Sequence, residues 1–320
     1  MKIDAVITWV DGDDPLHKQK KACYGSPDIF NVETIAGSSR YRSFGEIFWC
    51  VASINRFAPF INRIFIVTDG QDPGLGDFLE RNFPDGYIPV EIVDHKTIFR
   101  GYEHYLPTFN SISIETMTWR IPGLSDCFIE FNDDMMLAAP VTEADFFRPD
   151  GSSVCYAEKM NLFLVWLTRK FKTRKNGIAP VSFKGTMMNA AFMAGHKFWM
   201  FRMDHTPRAL KREFYESYFK DHPEALERNI RHRFRNHDQY NPEELQFLSL
   251  YDAGKCICRA LKGRLFCVYS KGGKEDIRRK LDALYQSDAS FICFNSIDHA
   301  SEDEMKEIVG FVSKRLSVEF

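Results

Sequence analysis

The 320-residue sequence contains no apolar run near the roughly eighteen residues that a membrane-spanning helix needs. Its first residues, Met-Lys-Ile-Asp-Ala-Val, lead straight into a predicted strand and lack the form of a signal peptide. Positive charge is not in excess either, and the net charge of −2 argues against a general nucleic-acid binder. The eight cysteines are scattered, and Cys256 and Cys258 lie too close together for a zinc knuckle. We therefore expect a cytoplasmic protein with reduced cysteines, no nucleic-acid partner, and at most peripheral contact with the inner face of the plasma membrane.

The sequence also lacks an internal repeat and a low-complexity linker. Its 44% hydrophobic and 27% charged residues are typical of a soluble globular protein. We expect a single catalytic domain over 1–320, with an α/β core at 1–150 and 255–320 and a mainly helical insertion at 151–254.

Four apolar segments predict buried strands that end in acidic residues. They are Ile3–Val10 before Asp11 and Gly12, Arg63–Val67 before Asp69, Gly70 and Gln71, Val90–Val93 before Asp94, and the start of Cys127–Leu137 before Asn132, Asp133 and Asp134. The helical or looped segments between them predict a three-layer, mostly parallel sheet of Rossmann-like or GT-A-like type. Ligands of such sheets bind beyond the carboxyl ends of the strands. Asp11, Asp69, Asp94 and Asp134 are therefore predicted to face one crevice.

Asp133 and Asp134 are candidate metal ligands. Carboxylates at strand ends can hold Mg²⁺ or Mn²⁺ that bridges the phosphates of a substrate. The alternative for an isolated Asp-Asp pair is a solvated acidic turn. The three other acidic strand ends favour a cation-bridged, phosphate-bearing ligand.

Cationic residues and a histidine supply further candidates. Arg42–Phe57 predicts a helix capped by Ser43, with Arg42 either beside its N-terminal amides, where phosphate binds, or simply on the surface. His205, between Asp204 and Thr206, is a candidate acid or base, or else structural. The segment 231–237 is densely cationic and could clamp phosphate.

Other segments predict local structure. Lys18–Ser43 is predicted to be a mobile loop, Phe183–Met203 to be packing, and 168–175 to be either a solvated basic loop or a patch for an anionic acceptor or a membrane surface. Ser111–Arg120 predicts a helix on which Glu115 and Arg120 are either functional or solvated. In the C-terminal part we expect strands within Cys258–Tyr269 and at Phe291–Asn295, and helices at Asn241–Pro242 onward, Lys274–Tyr285 and Ser301–Leu316.

Four blocks of sequence resemble the Stealth family of sugar-1-phosphate transferases, which includes bacterial capsule phosphotransferases and the animal enzyme that adds N-acetylglucosamine-1-phosphate to lysosomal glycoproteins. The first block is Ile3–Pro15. The second runs from Arg42 to Asp134 and is carried by Phe57-Ala58-Pro59, Ile66–Gln71, Leu106–Ser111, Ile114-Glu115, Arg120–Ser125 and Phe131–Asp134. The third is Asp204–Pro207 with Phe234-Arg235, and the fourth is Phe291–Asn295. The first two blocks are highly specific. One departure is that Ser43 and Phe44 follow Arg42, where the family usually has Asp-Asn.

The resemblance implies a reaction. A UDP-sugar, most often UDP-N-acetylglucosamine, binds with a divalent cation, and an acceptor hydroxyl attacks the phosphate next to the sugar. UMP leaves and a phosphodiester forms, with a glycan or lipid-linked acceptor of capsule or cell-surface polysaccharide. The rival hypotheses are a metal-dependent glycosyltransferase that releases UDP and a non-catalytic glycan-binding module.

The family motifs also imply residue roles. Glu115, Asp134, His205 and Arg235 match the catalytic positions, with either His205 or Asp134 as the base. The implied substrate-binding residues are Asp11, Gly12, Arg42, Asp69, Gly70, Gln71, Asn110, Arg120 and Asn132. We further expect 151–254 to fold back over the sheet edge and to bring His205 and Arg235 close to Asp134.

Overall fold

A five-stranded sheet forms the centre of the protein, whose computed structural model describes residues 1–25, 45–176, 181–261, 265–267, 274–294, 297 and 300–320. Its strands are β1 (Ile3–Thr8), β2 (Ile61–Thr68), β3 (Val90–Asp94), β4 (Cys127–Asn132) and β8 (Arg208–Lys211), in the order β3-β2-β1-β4-β8. The first four are parallel, and β8 is antiparallel to β4. Thr8 pairs with both Val67 and Asn132, so the carboxyl ends of these strands share one edge. The predicted α/β sheet is confirmed.

Two three-stranded sheets flank the central one. In the first, β5 (Met135–Leu137) runs antiparallel to β11 (Phe291–Cys293), which pairs with β10 (Leu265–Cys267). In the second, β6 (Ser153–Asn161) lies between β7 (Trp199–Met203) and β9 (Cys256–Arg259).

The helices are α1 (Pro15–Tyr24), α2 (Glu46–Phe57), α3 (Gly76–Asn82), α4 (His95–Ile98), α5 (Ser111–Glu115), α6 (Leu162–Asn176), α7 (Phe183–Met193), α8 (Arg212–Asp221), α9 (Pro223–Ile230), α10 (Pro242–Asp252), α11 (Lys274–Tyr285) and α12 (Glu302–Leu316). Short 3₁₀ turns occur at Glu103–Tyr105, Thr118–Arg120 and Glu143–Asp145. Within the described ranges, no helix is both long and apolar enough to cross a membrane.

Both faces of the central sheet are covered. Successive side chains of a strand point to opposite faces. Ile3, Ala5 and Ile7 accordingly join a core with α2, α3, α11 and α12, whereas Val6 joins a second core with α7, α8, α9 and α10. A parallel strand buried on both sides reads as a nearly continuous apolar run, which is why β1, β2 and β4 are recognisable in the sequence.

Three local predictions were wrong. Residues 18–24 of the predicted loop belong to α1, whose N-cap is Asp14 and whose first residue is Pro15. The helix predicted from Arg42 begins at Glu46, and its N-cap is Gly45 at φ 92°, which contradicts the cap predicted at Ser43. Residues 168–175 lie in α6 and not in a loop. Arg42 and Ser43 themselves lie outside the described residues.

The segment 151–254 contains both helices and strands. Its described residues form helices α6 to α10 and also strands β6, β7 and β8. Because β8 completes the central sheet beside β4, this segment is joined to the core by main-chain hydrogen bonds.

Candidate active site

Asp134, His205 and Cys293 converge at the carboxyl end of β4. This strand ends at Asn132, the chain turns through Asp133 and Asp134, and it then leaves the central sheet as β5. One ligand atom from each of the three converging residues lies within 4.8 Å of the others, and the Cys293 thiol donates to Asp134 Oδ2 at 3.5 Å. The segment 151–254 thus does bring His205 to Asp134, and β11 brings Cys293 because it pairs with β5.

Three buried polar atoms around this convergence have no hydrogen-bond partner among the described residues: Asn132 Oδ1, Asp134 Oδ1 and His205 Nδ1. A buried polar atom left unsatisfied costs about 1–3 kcal/mol, so such atoms are usually met by a ligand, a water or a cation. Two of the three are oxygens, which are the ligands that Mg²⁺ prefers. The oxygen side of the site therefore fits a divalent cation. Nitrogen and sulfur ligands from His205 and Cys293 would favour zinc instead.

Asp133 has a different neighbour from Asp134. Its pKa is raised well above the usual value by burial, and further by the carboxyl groups of Glu46 and Asp134. Glu46 is buried as the first residue of α2. Carboxylates this close repel one another unless they share a proton or a cation. This environment also fits a cation, and it makes the two adjacent aspartates unequal.

His205 is largely buried, and acidic as well as basic groups lie near it. Burial lowers the pKa of its imidazole, and the nearby Arg208 and Arg235 lower it further, while Asp134 opposes them. The ring of Phe183 stacks on it with centroids 6.0 Å apart. With a pKa below its ordinary value, His205 is mainly neutral at pH 7, and a neutral imidazole can accept a proton.

Residues near α5 hold the loop that carries Arg235. Arg235 Nη2 donates to Ser111 Oγ at 2.7 Å. Asn110 is buried, and its side-chain amide donates to His232 O at 3.1 Å and to Gln239 Oε1 at 2.9 Å. Asn110, which was predicted to bind substrate, therefore stabilises the loop between His232 and Gln239 that carries Arg235.

Buried acids and one arginine form the wall behind His205, and sequence reasoning missed most of them. Arg208 Nη1 lies 3.4 Å from Glu243 Oε1, and Glu115 and Glu130 are close enough to raise the pKa of its guanidinium. Glu130 Oε1 accepts a hydrogen bond from Thr118 at 3.1 Å. The predicted catalytic residue Glu115 thus borders this buried network. The available signal was the lone Glu130 within the apolar run Cys-Phe-Ile-Glu-Phe.

The side chain of Gln71 connects the segments that follow β1 and β2 by hydrogen bonds. Its amide donates to Asp11 O and accepts from Asp11 N, both at 2.9 Å. Gly12 follows, partly buried. Gly70 has φ 69°, and a Cβ there would lie 3.4 Å from Asp94 Oδ2, so this turn favours glycine. Gln71, which was predicted to bind substrate, is occupied with backbone groups and shapes the loop that carries Asp11.

Two buried histidines, His17 and His95, lie beside Asp69, and neither was predicted to be part of the site. Lys20 pairs with Asp69 Oδ2 at 2.9 Å. His17 contacts the ring of Phe109 edge-on at 5.4 Å. His95 is 5% exposed, and neither of its ring nitrogens has a hydrogen-bond partner within the described structure. Burial lowers the pKa of His95 to about 4.

Arg120 contacts the segment that follows α4. Its guanidinium donates to the backbone oxygens of Ile98 and Arg100, each at 2.7 Å, and sits over the ring of Tyr102 at 5.3 Å. The structure therefore gives Arg120 a role in fixing the chain after α4. Arg42 cannot be placed, since it falls outside the described residues.

Comparison with known proteins identifies the family. Residues 1–26 match the model "Stealth protein CR1, conserved region 1", and residues 40–155 match "Stealth protein CR2, conserved region 2". The exopolysaccharide phosphotransferase cps2G of Lactiplantibacillus plantarum is 31% identical over 253 residues, which cover 73% of this chain and 71% of that protein. The chain belongs to the Stealth family. The resemblance seen in the sequence is thus confirmed.

Other Stealth relatives differ in length. The receptor polysaccharide phosphotransferase WefC of Streptococcus oralis is 29% identical, with 85% of each chain covered. The exopolysaccharide phosphotransferase SCO6021 of Streptomyces coelicolor is 31% identical over 94% of this chain, which spans only 52% of that protein. Among solved structures, the galactosyltransferase LgtC aligns with a TM-score of 0.48 at 12% identity, covering 99% of this chain and 96% of that one.

Proposed function

We propose that this Stealth protein transfers a hexose-1-phosphate from a UDP-sugar to an acceptor hydroxyl, with release of UMP and formation of a phosphodiester. The sugar is an N-acetylhexosamine, and the acceptor is a glycan or a lipid-linked precursor of capsule or cell-surface polysaccharide. The reaction takes place in the cytoplasm, at the inner face of the plasma membrane. The three relatives named above are polysaccharide phosphotransferases, which supports assigning this chain to the enzymes that transfer sugar phosphates.

The observation that carries the proposal is the convergence of Asp134 and His205, with buried atoms of both unsatisfied, at the carboxyl edge of a parallel sheet. This edge is where α/β sheets bind their ligands. The turns at Asp11 and Asp69 lie along the same edge and offer the nearest surface for the nucleotide.

A divalent cation belongs on the oxygen side of the site. Asn132, Asp133 and Asp134 would hold Mg²⁺ or Mn²⁺, with Glu46 beside Asp133. When bound, such a cation neutralises pyrophosphate charge as the phosphate is transferred.

His205 is the better candidate for the general base. It is mainly neutral at pH 7, and its Nδ1 lacks a partner in the described structure. Asp134 lies beside it and favours the imidazolium that forms once the acceptor proton is taken. Arg235 is close enough to influence His205 and can hold two phosphate oxygens in its planar fork, which a lysine cannot do. Transfer of a phosphate then proceeds mainly by positioning and charge stabilisation.

The nucleotide product distinguishes this reaction from its rivals. The chain is incubated with UDP-N-acetylhexosamines, Mg²⁺ and a polysaccharide or lipid-linked acceptor, and nucleotides are separated by chromatography. Acceptor-dependent UMP is the expected product. UDP without UMP would identify a glycosyltransferase instead. Acceptor binding without turnover, unchanged in Asp134→Asn, would identify a glycan-binding module.

A further inference from the structure

Helix α6 turns an apolar face toward solvent. Phe163, Leu164 and Phe171 are 55%, 59% and 60% exposed. Phe163, Leu167 and Phe171 are spaced by four residues, so they lie along one side of the helix. Trp166 stacks against Phe163 at the edge of this side. A helix at a protein surface normally points its large apolar side chains at the core, whereas several of those of α6 point at water.

The other side of α6 is firmly attached. Leu162 is fully buried. Arg169 Nη1 donates to Gly185 O at 3.3 Å and to Asn189 Oδ1 at 3.1 Å, and its Nη2 donates to His237 O at 2.7 Å. The orientation of the helix is therefore fixed by α7 and by the loop after Arg235, and the outward direction of its phenylalanines follows from this attachment.

A neighbouring segment extends the exposed apolar surface. The backbone oxygen of Phe198 accepts from Leu162 N at 3.0 Å, which places the turn before β7 next to the start of α6. Phe198 is 79% exposed, the largest fraction among the exposed large hydrophobic residues of the described chain.

Positive charge accompanies these apolar residues. The sequence of α6 contains five basic residues and no acidic one: Arg169, Lys170, Lys172, Arg174 and Lys175. Lys170 Nζ lies over the ring of Trp166 at 4.8 Å, while Lys172, Arg174 and Lys175 are exposed. The chain as a whole carries a net charge of −2, so this concentration of cations is local.

We propose that this surface, called the α6 face, docks on a bilayer of anionic lipid. The α6 face consists of the apolar residues Phe163, Leu164, Trp166, Leu167, Phe171 and Phe198 and the cations Lys170, Lys172, Arg174 and Lys175. Aromatic and leucine side chains beside cations are the composition of helices that lie in the membrane interface. A second copy of the same face is a poor partner, since its cations would repel these. The 15 residues of α6 are too few to span a bilayer, so the helix would lie along the surface.

The α6 face adjoins the candidate active site. Arg169 binds the residues of α7 from its inner side, and Phe183, the first residue of α7, stacks on His205. Docking would hold the carboxyl edge of the central sheet, where Asp134 and His205 lie, near the lipid surface. A lipid-linked acceptor resides at that surface. This last step rests on the proposed function, whereas lipid binding itself does not.

Sedimentation with vesicles tests the proposal. The full chain is mixed with vesicles of phosphatidylcholine alone or with phosphatidylglycerol, and the bound fraction is measured at low and high salt. We expect binding to the anionic vesicles that weakens with salt. The double variant Lys172→Ala/Lys175→Ala should bind about 30-fold less tightly, at about 1 kcal/mol for each cation. Phe163→Ser/Phe171→Ser should lose roughly tenfold or more, through apolar area no longer buried in lipid.

Matched controls and three possible outcomes decide whether the proposal holds. Tyr87→Ser and Lys306→Ala change an exposed aromatic and an exposed cation elsewhere, and should bind as the parent does. Circular dichroism checks that each variant is folded. Absence of binding to anionic vesicles, or equal binding by the α6 variants, would overturn the proposal. So would size-exclusion chromatography in which Phe163→Ser/Phe171→Ser splits an oligomer while vesicle binding is unchanged. UMP formation with a water-soluble acceptor is measured separately, so failure of lipid docking and failure of the transfer reaction are told apart.

Discussion

Arg208 faces Glu130 directly across the antiparallel pair of β4 and β8, and its guanidinium reaches Glu243 on α10. All three side chains are almost completely buried. Burial, followed by the nearby Glu243 and Glu115 carboxyl groups, raises the pKa of Glu130 well above its usual value. The one guanidinium group of Arg208 therefore interacts with several buried carboxyl groups. It also lies close enough to His205 to lower the pKa of that imidazole.

Replacing Arg208 with methionine should strongly destabilise the fold. The change leaves the acids of β4 and α10 buried without their cation, which typically costs about 3–5 kcal/mol. Urea denaturation measures the loss. Arg202→Met is the matched control, because Arg202 pairs with Glu158 at 2.6 Å on an exposed surface, where such pairs contribute about 0–1 kcal/mol. If Arg208→Met lost as little stability as is expected of Arg202→Met, the Arg208 network would contribute little to the free energy of unfolding.

His205→Gln should lower turnover by roughly two to four orders of magnitude, since proton transfer by a positioned group contributes that much. In the parent enzyme, protonation of His205 abolishes its basic function. Because its folded-state pKa lies below the ordinary 6.5, the acid-side fall of kcat/KM should occur below pH 6.5. A pH–rate profile of UMP release measures both effects. His222→Gln, at an exposed histidine that follows α8, should match the parent. A fully active His205→Gln enzyme would contradict the assignment of the base.

Features set by local sequence were predictable. The capping box of α12 requires only Ser301 and Glu304, and both of its hydrogen bonds form. Asn241 caps α10, where Pro242 is the first residue. Strands β1, β2 and β4 were recognisable because burial on both faces leaves nearly continuous apolar runs. The acidic strand ends pointed correctly to the edge of the sheet at which Asp134 meets His205.

Features that depend on distant partners were not predictable. Residues 168–175 predicted either a solvated basic loop or a patch for an anionic acceptor or a membrane surface, whereas they lie in α6, where Arg169 donates to His237 O at 2.7 Å. Arg208 reads as an ordinary arginine until β8 pairs with β4 and places it opposite Glu130. Gln71 resembles a ligand-binding residue in the motif, yet its amide is used by the backbone of Asp11. In each case the deciding contact joins residues far apart in the chain.

Removal of divalent cations should abolish transfer, and Mg²⁺ or Mn²⁺ should restore it. The physical reason is the pair of unsatisfied buried oxygens of Asn132 and Asp134, next to the crowded carboxyl group of Asp133, all of which a cation would stabilise. UMP release after exhaustive chelation, followed by titration with each cation, measures the requirement. Asp134→Asn should reduce turnover more than Asp133→Asn, because Asp134 has an unsatisfied buried oxygen and also lies within 4.8 Å of His205. Undiminished turnover in the chelated enzyme would exclude the metal assignment.

His95 should make the fold less stable in mild acid. Its pKa is about 4 in the folded state, whereas an unfolded histidine has a pKa near 6.5. Between these values the unfolded chain binds a proton that the folded chain does not, so the free energy of unfolding falls as the pH falls. Its charged neighbours are Asp69 and Asp94, which raise the pKa of His95, and His17 and Lys20, which lower it further in addition to burial.

The variant His95→Phe keeps an aromatic ring at this position but cannot titrate. From pH 7 to pH 5, the variant should therefore lose about 2 kcal/mol less stability than the parent in urea denaturation. His237→Gln, at an exposed histidine, should follow the parent. Equal losses in His95→Phe and the parent would mean that His95 remains protonated in the folded protein.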